Sequence, residues 1–195
     1  MKDNSRSILD FLHAIEQIKQ ELRHSWTSNG RQESVAEHSW RLALMLVICA
    51  PYLEKKIDLL KAVKLALFHD LGEAKIGDQH YLDINASEEE KKRRSHLEAM
   101  AVHDLSLLLG PEEQSIFNLW KEFEEKASEE AKVVYFLDKL EACIQHNEAP
   151  LSTWTKQEIA SIEDYFHHLN IADPFLLALK ENTKIESIKK IINKN

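Results

Sequence analysis

The sequence is poor in chain breakers: only four Gly and four Pro occur in 195 residues. An all-β fold closes a turn every few residues with such residues, so that architecture is excluded. Cysteine is scarce too. Cys49 and Cys143 each sit in an apolar stretch without C-x-x-C spacing, which excludes a disulfide framework and reads as two buried thiols in a reducing compartment. No segment approaches the roughly 18 apolar residues of a membrane span. The opening residues MKDNSRSILDFL lack the long apolar core of a signal peptide. The expectation is therefore a cytoplasmic protein without a membrane partner. Positive charge is also in deficit, giving a formal net charge of -8. Long nucleic acid would be repelled by such a surface. A small phosphorylated molecule is compatible with it, because a bound metal and one arginine reverse the field locally.

What is present is helical patterning. Hydrophobic residues make up 44% and charged residues 30%, an ordinary globular balance, and the length fits one domain able to bury a core. Ile8, Leu12, Ile15 and Leu22 mark the apolar face of a first helix. A polar stretch follows, from Ser25 to Glu33. Ser34 and Glu37 form a capping box that opens a second helix, ending near Pro51. Asp58 caps a third, which runs toward Gly72 and Gly77. A fourth spans about 87–109 and stops at Gly110-Pro111, and a fifth covers about 112–125. Ser128 caps a sixth that ends before Pro150, and the tail offers helices near 156–168 and 174–193. No strand, repeat or linker stands out, so the expectation is a single all-α domain over residues 1–195. In EEEKKRR, three glutamates each precede a basic residue by four, the pattern of a solvated helix face.

Chemistry concentrates in ALFHDLGEAKIGD, residues 66–78. An apolar helix there delivers His69 and Asp70 near its end. Burying a carboxylate beside an imidazole costs several kcal/mol without a partner, and a divalent cation is the natural one. Neighbouring helical residues point about 100° apart, so both reach one ion only where the helix ends. His38 lies in the first turn of a capped helix. Asp138 lies on an apolar helix face with Val134, Leu137, Glu141 and Ala142, where an unpaired carboxylate would be expensive. His38, His69, Asp70 and Asp138 together offer two imidazoles and two carboxylates, a set suited to one divalent Mn, Co, Fe, Ni or Zn with positions left for water and substrate.

This H…HD…D pattern resembles the HD superfamily of metal-dependent phosphohydrolases, and more closely the HD-domain 5'-deoxynucleotidases. The segments carrying the resemblance are ESVAEHSWRLALM, ALFHDLGEAKIGD, RRSHLEAM and FNLWKEFEEKASEEAKVVYFLDKLEACIQHNE, within about residues 10–148. The resemblance implies an all-α HD-domain bundle, hydrolysis of deoxyribonucleoside 5'-monophosphates to nucleoside and phosphate, and a possible homodimer. It implies catalytic roles for Glu73 and Asp78: orienting or deprotonating the attacking water, and assisting the leaving oxygen. It also places Arg23 on the phosphate and Trp26 beside the sugar, from the segment LRHSW.

Two departures from the family pattern bear on substrate choice. Ser25 stands where relatives often carry Gly, and GDQHYLD lacks the Pro that many relatives have after the Gly-Asp pair. His80 therefore reads as a loop residue. His96 and His103 lie seven apart on one helix, whereas a second metal in HD enzymes draws its extra ligands from separate elements. His13, His24, His146, His167 and His168 read as surface or packing residues, and helices 150–195 carry no assigned role. Alternatives remain open at this point. One is another HD reaction, on a cyclic nucleotide, a nucleoside triphosphate or a guanosine alarmone. Another is a non-catalytic protein that binds metal or nucleotide.

Overall fold

The computed structural model describes residues 4–79, 87–110 and 115–193. His80, Tyr81 and Pro111 lie outside the described residues. The elements follow the capping signals closely. Helix α1 (Asn4–Ala14) runs into a 3-10 turn at Ile15–Lys19, followed by strands β1 (Leu22–Trp26) and β2 (Gln32–Ser34). Then come α2 (Val35–Cys49), α3 (Leu59–Phe68), the short α4 (Glu73–Ile76), α5 (Glu88–Leu109) and α6 (Ser115–Glu124). Helices α7 (Glu129–Glu148), α8 (Lys156–His168) and α9 (Pro174–Ile192) complete the chain. The Ser34–Glu37 capping box is formed in full, and Asp58 and Ser128 cap α3 and α7. Among the described residues the fold is all-α apart from one antiparallel strand pair, and no described helix is long and apolar enough to cross a membrane.

Two sequence expectations change. A β-hairpin occupies the stretch that reads as the end of the first helix and a polar loop; Gly30, at a φ of 86°, turns the chain between its strands. The apolar face of α1 is rotated as well. Phe11 is buried, whereas Ile8, Leu12 and Leu22 are exposed. The reason is local: the chain tightens into a 3-10 turn at Ile15, so the helical period does not continue to Leu22.

Helix α7 is the central element. It packs against α2, α3, α6 and α9. Leu137, Leu140, Val134 and Phe136 join Leu42, Leu46, Leu65 and Ala66 in one core, with Phe166 and Leu176 of the tail in the same cluster. A second cluster seats α1 on α5 through Phe11, Val102, Leu105 and Trp120. The site described next is held between the two cores by α2, α3, α7 and the β-hairpin.

Candidate active site

His69 and Asp70 lie in the turn between α3 and α4, the helix end at which both can face one point. His69 Nδ1 donates to the Ala66 carbonyl at 2.8 Å. A carbonyl only accepts, so Nδ1 carries a proton and the neutral ring offers its Nε2 lone pair. Nε2 is buried without a well-aligned hydrogen bond, with Asp70 Oδ2 at 3.0 Å and Asp138 Oδ1 at 3.7 Å. His38, fully buried on α2, uses Nδ1 for Glu141 of α7 and turns Nε2 toward Asp138 Oδ1 at 3.0 Å and Asp70 Oδ2 at 3.8 Å. Bonds of about 2.1 Å to one ion place neighbouring ligand atoms roughly 3.0–3.4 Å apart. The Asp70 and Asp138 oxygens stand 3.0–3.8 Å from the two imidazole Nε2 atoms, near that spacing, with the side chains drawn from α2, the α3–α4 turn and α7.

The electrostatics point the same way. Burial disfavours charge on His69, yet Asp70 and Asp138 lift its imidazole well above the usual range. Burial likewise opposes ionisation of Asp138, but Lys139, His38 and His69 hold its carboxyl well below the usual range. The pocket therefore draws positive charge inward, and its donor set fits a divalent ion.

The cleft above these residues has a volume of about 990 Å³. Glu73, at the start of α4, is buried in its wall, with Oε2 lacking a hydrogen-bond partner. Burial, then Asp70 and Asp78, push the Glu73 carboxyl well above the usual range. Asp78 also lines the cleft and is raised by burial, and its N–H donates to Glu21 Oε1 at 2.9 Å. Gly77 makes that turn possible at a φ of 75°, and a Cβ there would lie 3.1 Å from Glu21 Oε1. Arg23 of β1 reaches Asp70 Oδ2 at 3.3 Å and Glu33 Oε2 at 3.6 Å.

Residues 15–173 match the HD domain family. The chain belongs to the HD-domain family. It is 36% identical to the 5'-deoxynucleotidase HDDC2 of Homo sapiens over 148 residues, which cover 74% of this chain and 69% of that protein. It is also 36% identical to the HDDC2 of Danio rerio over 168 residues, 83% and 81% of the two chains. Among solved structures it resembles one described as a "predicted metal-dependent phosphohydrolase" from Magnetospirillum magnetotacticum MS-1. The TM-score is 0.81 at 23% identity, covering 97% of this chain and 95% of that one, a likeness of fold. The HD-domain match continues past residue 148 and takes in α8.

Several residues of this HD-domain site escape a sequence reading. Glu141 is fully buried between His38 Nδ1 and Arg41, whose Nε donates to Glu141 Oε1 at 2.5 Å. Arg41 Nη1 in turn donates to Glu148 at 2.7 Å. Glu33 is buried beside Arg23, and burial together with Glu141 pushes its carboxyl up to about 7. Lys139 Nζ lies 3.1 Å from Asp138 Oδ2 and lines the cleft. Arg94, in the stretch that reads as a solvated charge run, is instead buried. It donates to the Gly77 carbonyl at 2.6 Å and to Glu98 at 2.7 Å, and stands 3.7 Å from Glu73. Arg93 keeps the solvated pattern through Glu90. Trp26 is half-buried at the end of β1 and is not among the residues lining the cleft; its carbonyl accepts from Gln145 at 2.6 Å. The aromatic residues lining the cleft, among those described, are Phe117, Trp120, Phe123, Tyr135, Trp154 and Tyr165.

Both cysteines are buried, as expected. Burial pushes the Cys143 thiol up to about 12 and raises Cys49 as well. Iodoacetamide at pH 8 is expected to leave both unmodified in the native protein and to label both in denaturant, read by intact mass. Rapid native labelling of Cys143 would contradict this.

Proposed function

We propose that this chain is a metal-dependent 5'-deoxynucleotidase, converting a deoxyribonucleoside 5'-monophosphate to nucleoside and phosphate. The observation that carries the reading is the convergence of His38 Nε2, His69 Nε2, Asp70 and Asp138 beneath a cleft that also holds Glu73, Asp78 and Arg23. The relatives named 5'-deoxynucleotidases supply the substrate class. In this reading His38, His69, Asp70 and Asp138 hold one divalent ion, of the Mn, Co, Fe, Ni or Zn group. When bound, that ion withdraws charge from the phosphate and makes an attacking water more acidic.

The chain's own groups do the rest. Glu73 orients the water and accepts its proton, and its raised proton affinity is the direction a base working near neutral pH needs. Asp78, also raised, passes a proton to the leaving 5'-oxygen. Arg23 forks onto the phosphate, with Lys139 as a second cation in the cleft. Arg94 braces the Gly77 turn that presents Asp78. Trp26 acts through the backbone, fixing β1 to α7, while Trp154 offers the aromatic wall for the nucleoside. Residues 150–173 fall within the HD-domain match, with α8 as part of the cleft wall.

A phosphate-release screen over deoxy- and ribonucleoside mono- and triphosphates and cyclic nucleotides tests the reading. Release from deoxyribonucleoside 5'-monophosphates above all others is expected. Preference for a triphosphate or cyclic nucleotide would overturn it.

The same reading takes the protein as a homodimer. Trp40, Leu44, Val47 and Ile48 are exposed along one side of α2, a stripe at helical spacing that is costly to leave in water. Light scattering should give twice the chain mass for the wild type and the chain mass for Trp40→Glu. A wild-type monomer would contradict it.

A further inference from the structure

His24 and His146 read from the sequence as surface or packing residues, yet the fold brings them together with Glu158. His24 comes from β1, His146 from the last turn of α7, and Glu158 from the first turn of α8. Their ligating atoms all lie within 4.8 Å of one another. Glu158 Oε1 is 3.3 Å from His24 Nε2 and 3.2 Å from His146 Nε2. All three side chains are partly buried and line the cleft.

Glu158 and His146 are each held by a second partner. Glu158 closes the capping box of α8: its Oε2 accepts from the Thr155 N–H at 2.6 Å, while its Oε1 faces the two rings. His146 Nδ1 faces the Ala142 carbonyl at 2.9 Å and must donate to it. Nε2 is then the ring nitrogen turned to Glu158 Oε1 at 3.2 Å, and either a proton or a metal ion can stand between the two atoms. Trp154 locks the ring further, packing edge-on at 5.4 Å and donating Nε1 to the His146 carbonyl.

We propose that His24, His146 and Glu158 form a second metal site, taking a zinc-class divalent ion, separate from the His38–His69–Asp70–Asp138 set. Two imidazole nitrogens and one carboxylate oxygen, with a fourth position open to the cleft, make a donor set that zinc accepts. Metal bonds of about 2.1 Å at tetrahedral angles put ligand atoms about 3.4 Å apart, close to the separations of Glu158 Oε1 from both rings. The ion would tie α8 to β1 and α7, giving the C-terminal helices a part in shaping the cleft.

The test is metal stoichiometry. The full chain is stripped with chelator, dialysed against buffered zinc and analysed for metal. The wild type is expected to hold two zinc ions per chain. His146→Ala and Glu158→Gln are each expected to hold one, and Asp138→Asn is expected to lose only the other. Glu158→Gln keeps an oxygen for the Thr155 N–H, so it preserves the cap should His146→Ala fold poorly, and circular dichroism checks both. A wild type holding one zinc, lost in Asp138→Asn, would mean a hydrogen-bonded His–Glu–His cluster only and would overturn the proposal. Two zinc ions retained by both His146→Ala and Glu158→Gln would overturn it as well.

Discussion

Asp70→Ala is expected to lower phosphate release by roughly a hundred- to a thousandfold, the scale at which losing one charge-stabilising group at a reacting centre is felt. Asp70 faces both imidazoles and Arg23 at once, at 3.0 and 3.8 Å from the rings and 3.3 Å from the guanidinium. Removing it takes one donor from the proposed metal set and one of the two carboxylates beside Arg23. The fold should survive, because Asp70 sits in a turn at the cleft floor and is not part of either apolar cluster. Steady-state phosphate release with matched circular dichroism spectra checks this. A folded variant within tenfold of wild type would remove Asp70 from the chemistry.

Glu141→Ala should damage both stability and metal affinity, although Glu141 faces away from the cleft. Its carboxylate is fully buried, shared between His38 Nδ1 and Arg41 Nε. Deleting one member of a buried charged network leaves the others uncompensated, at a cost of about 3–5 kcal/mol. Loss of the partner that fixes a ligating imidazole typically weakens metal binding about 10–100-fold. Urea unfolding of the metal-free chain reads the first effect, and metal titration reads the second. Glu141→Gln is the informative control: it keeps an acceptor for His38 Nδ1 while losing charge opposite Arg41. It should retain more metal affinity than Glu141→Ala. Equal affinities for the two variants would mean that His38 needs no orienting acceptor.

Much of this was legible because it is local. Caps at Ser34, Asp58 and Ser128 set the helix starts, since a side chain and an N–H three residues on are enough to satisfy each end. The HD pair could be placed at a helix end by the angle between neighbouring side chains alone. What stayed hidden depends on distant partners. Glu141 looked like another residue on Asp138's face, and only the approach of α2 gives it His38 and Arg41. Arg94 sat in a charge run whose spacing favoured pairing back toward Glu90, but the chain folds the Gly77 turn against it and pairs it forward with Glu98. The hairpin was missed because β1 and β2 are too short for an alternating pattern to register, and Gly30 was their one clear sign. His24 and His146 read as surface or packing residues because nothing in their neighbourhoods predicts that Glu158 will arrive between them. Lys139 was the more readable omission: a lysine beside Asp138 on a buried helix needs a reason, and the adjacent carboxylate provides it.

The most direct test strips the full chain of metal with a chelator and follows phosphate release from a deoxyribonucleoside 5'-monophosphate. The account predicts background release from the stripped wild type, restored by returning Mn or Co, and no restoration in a folded Asp70→Ala chain. Undiminished release from the stripped wild type would contradict it.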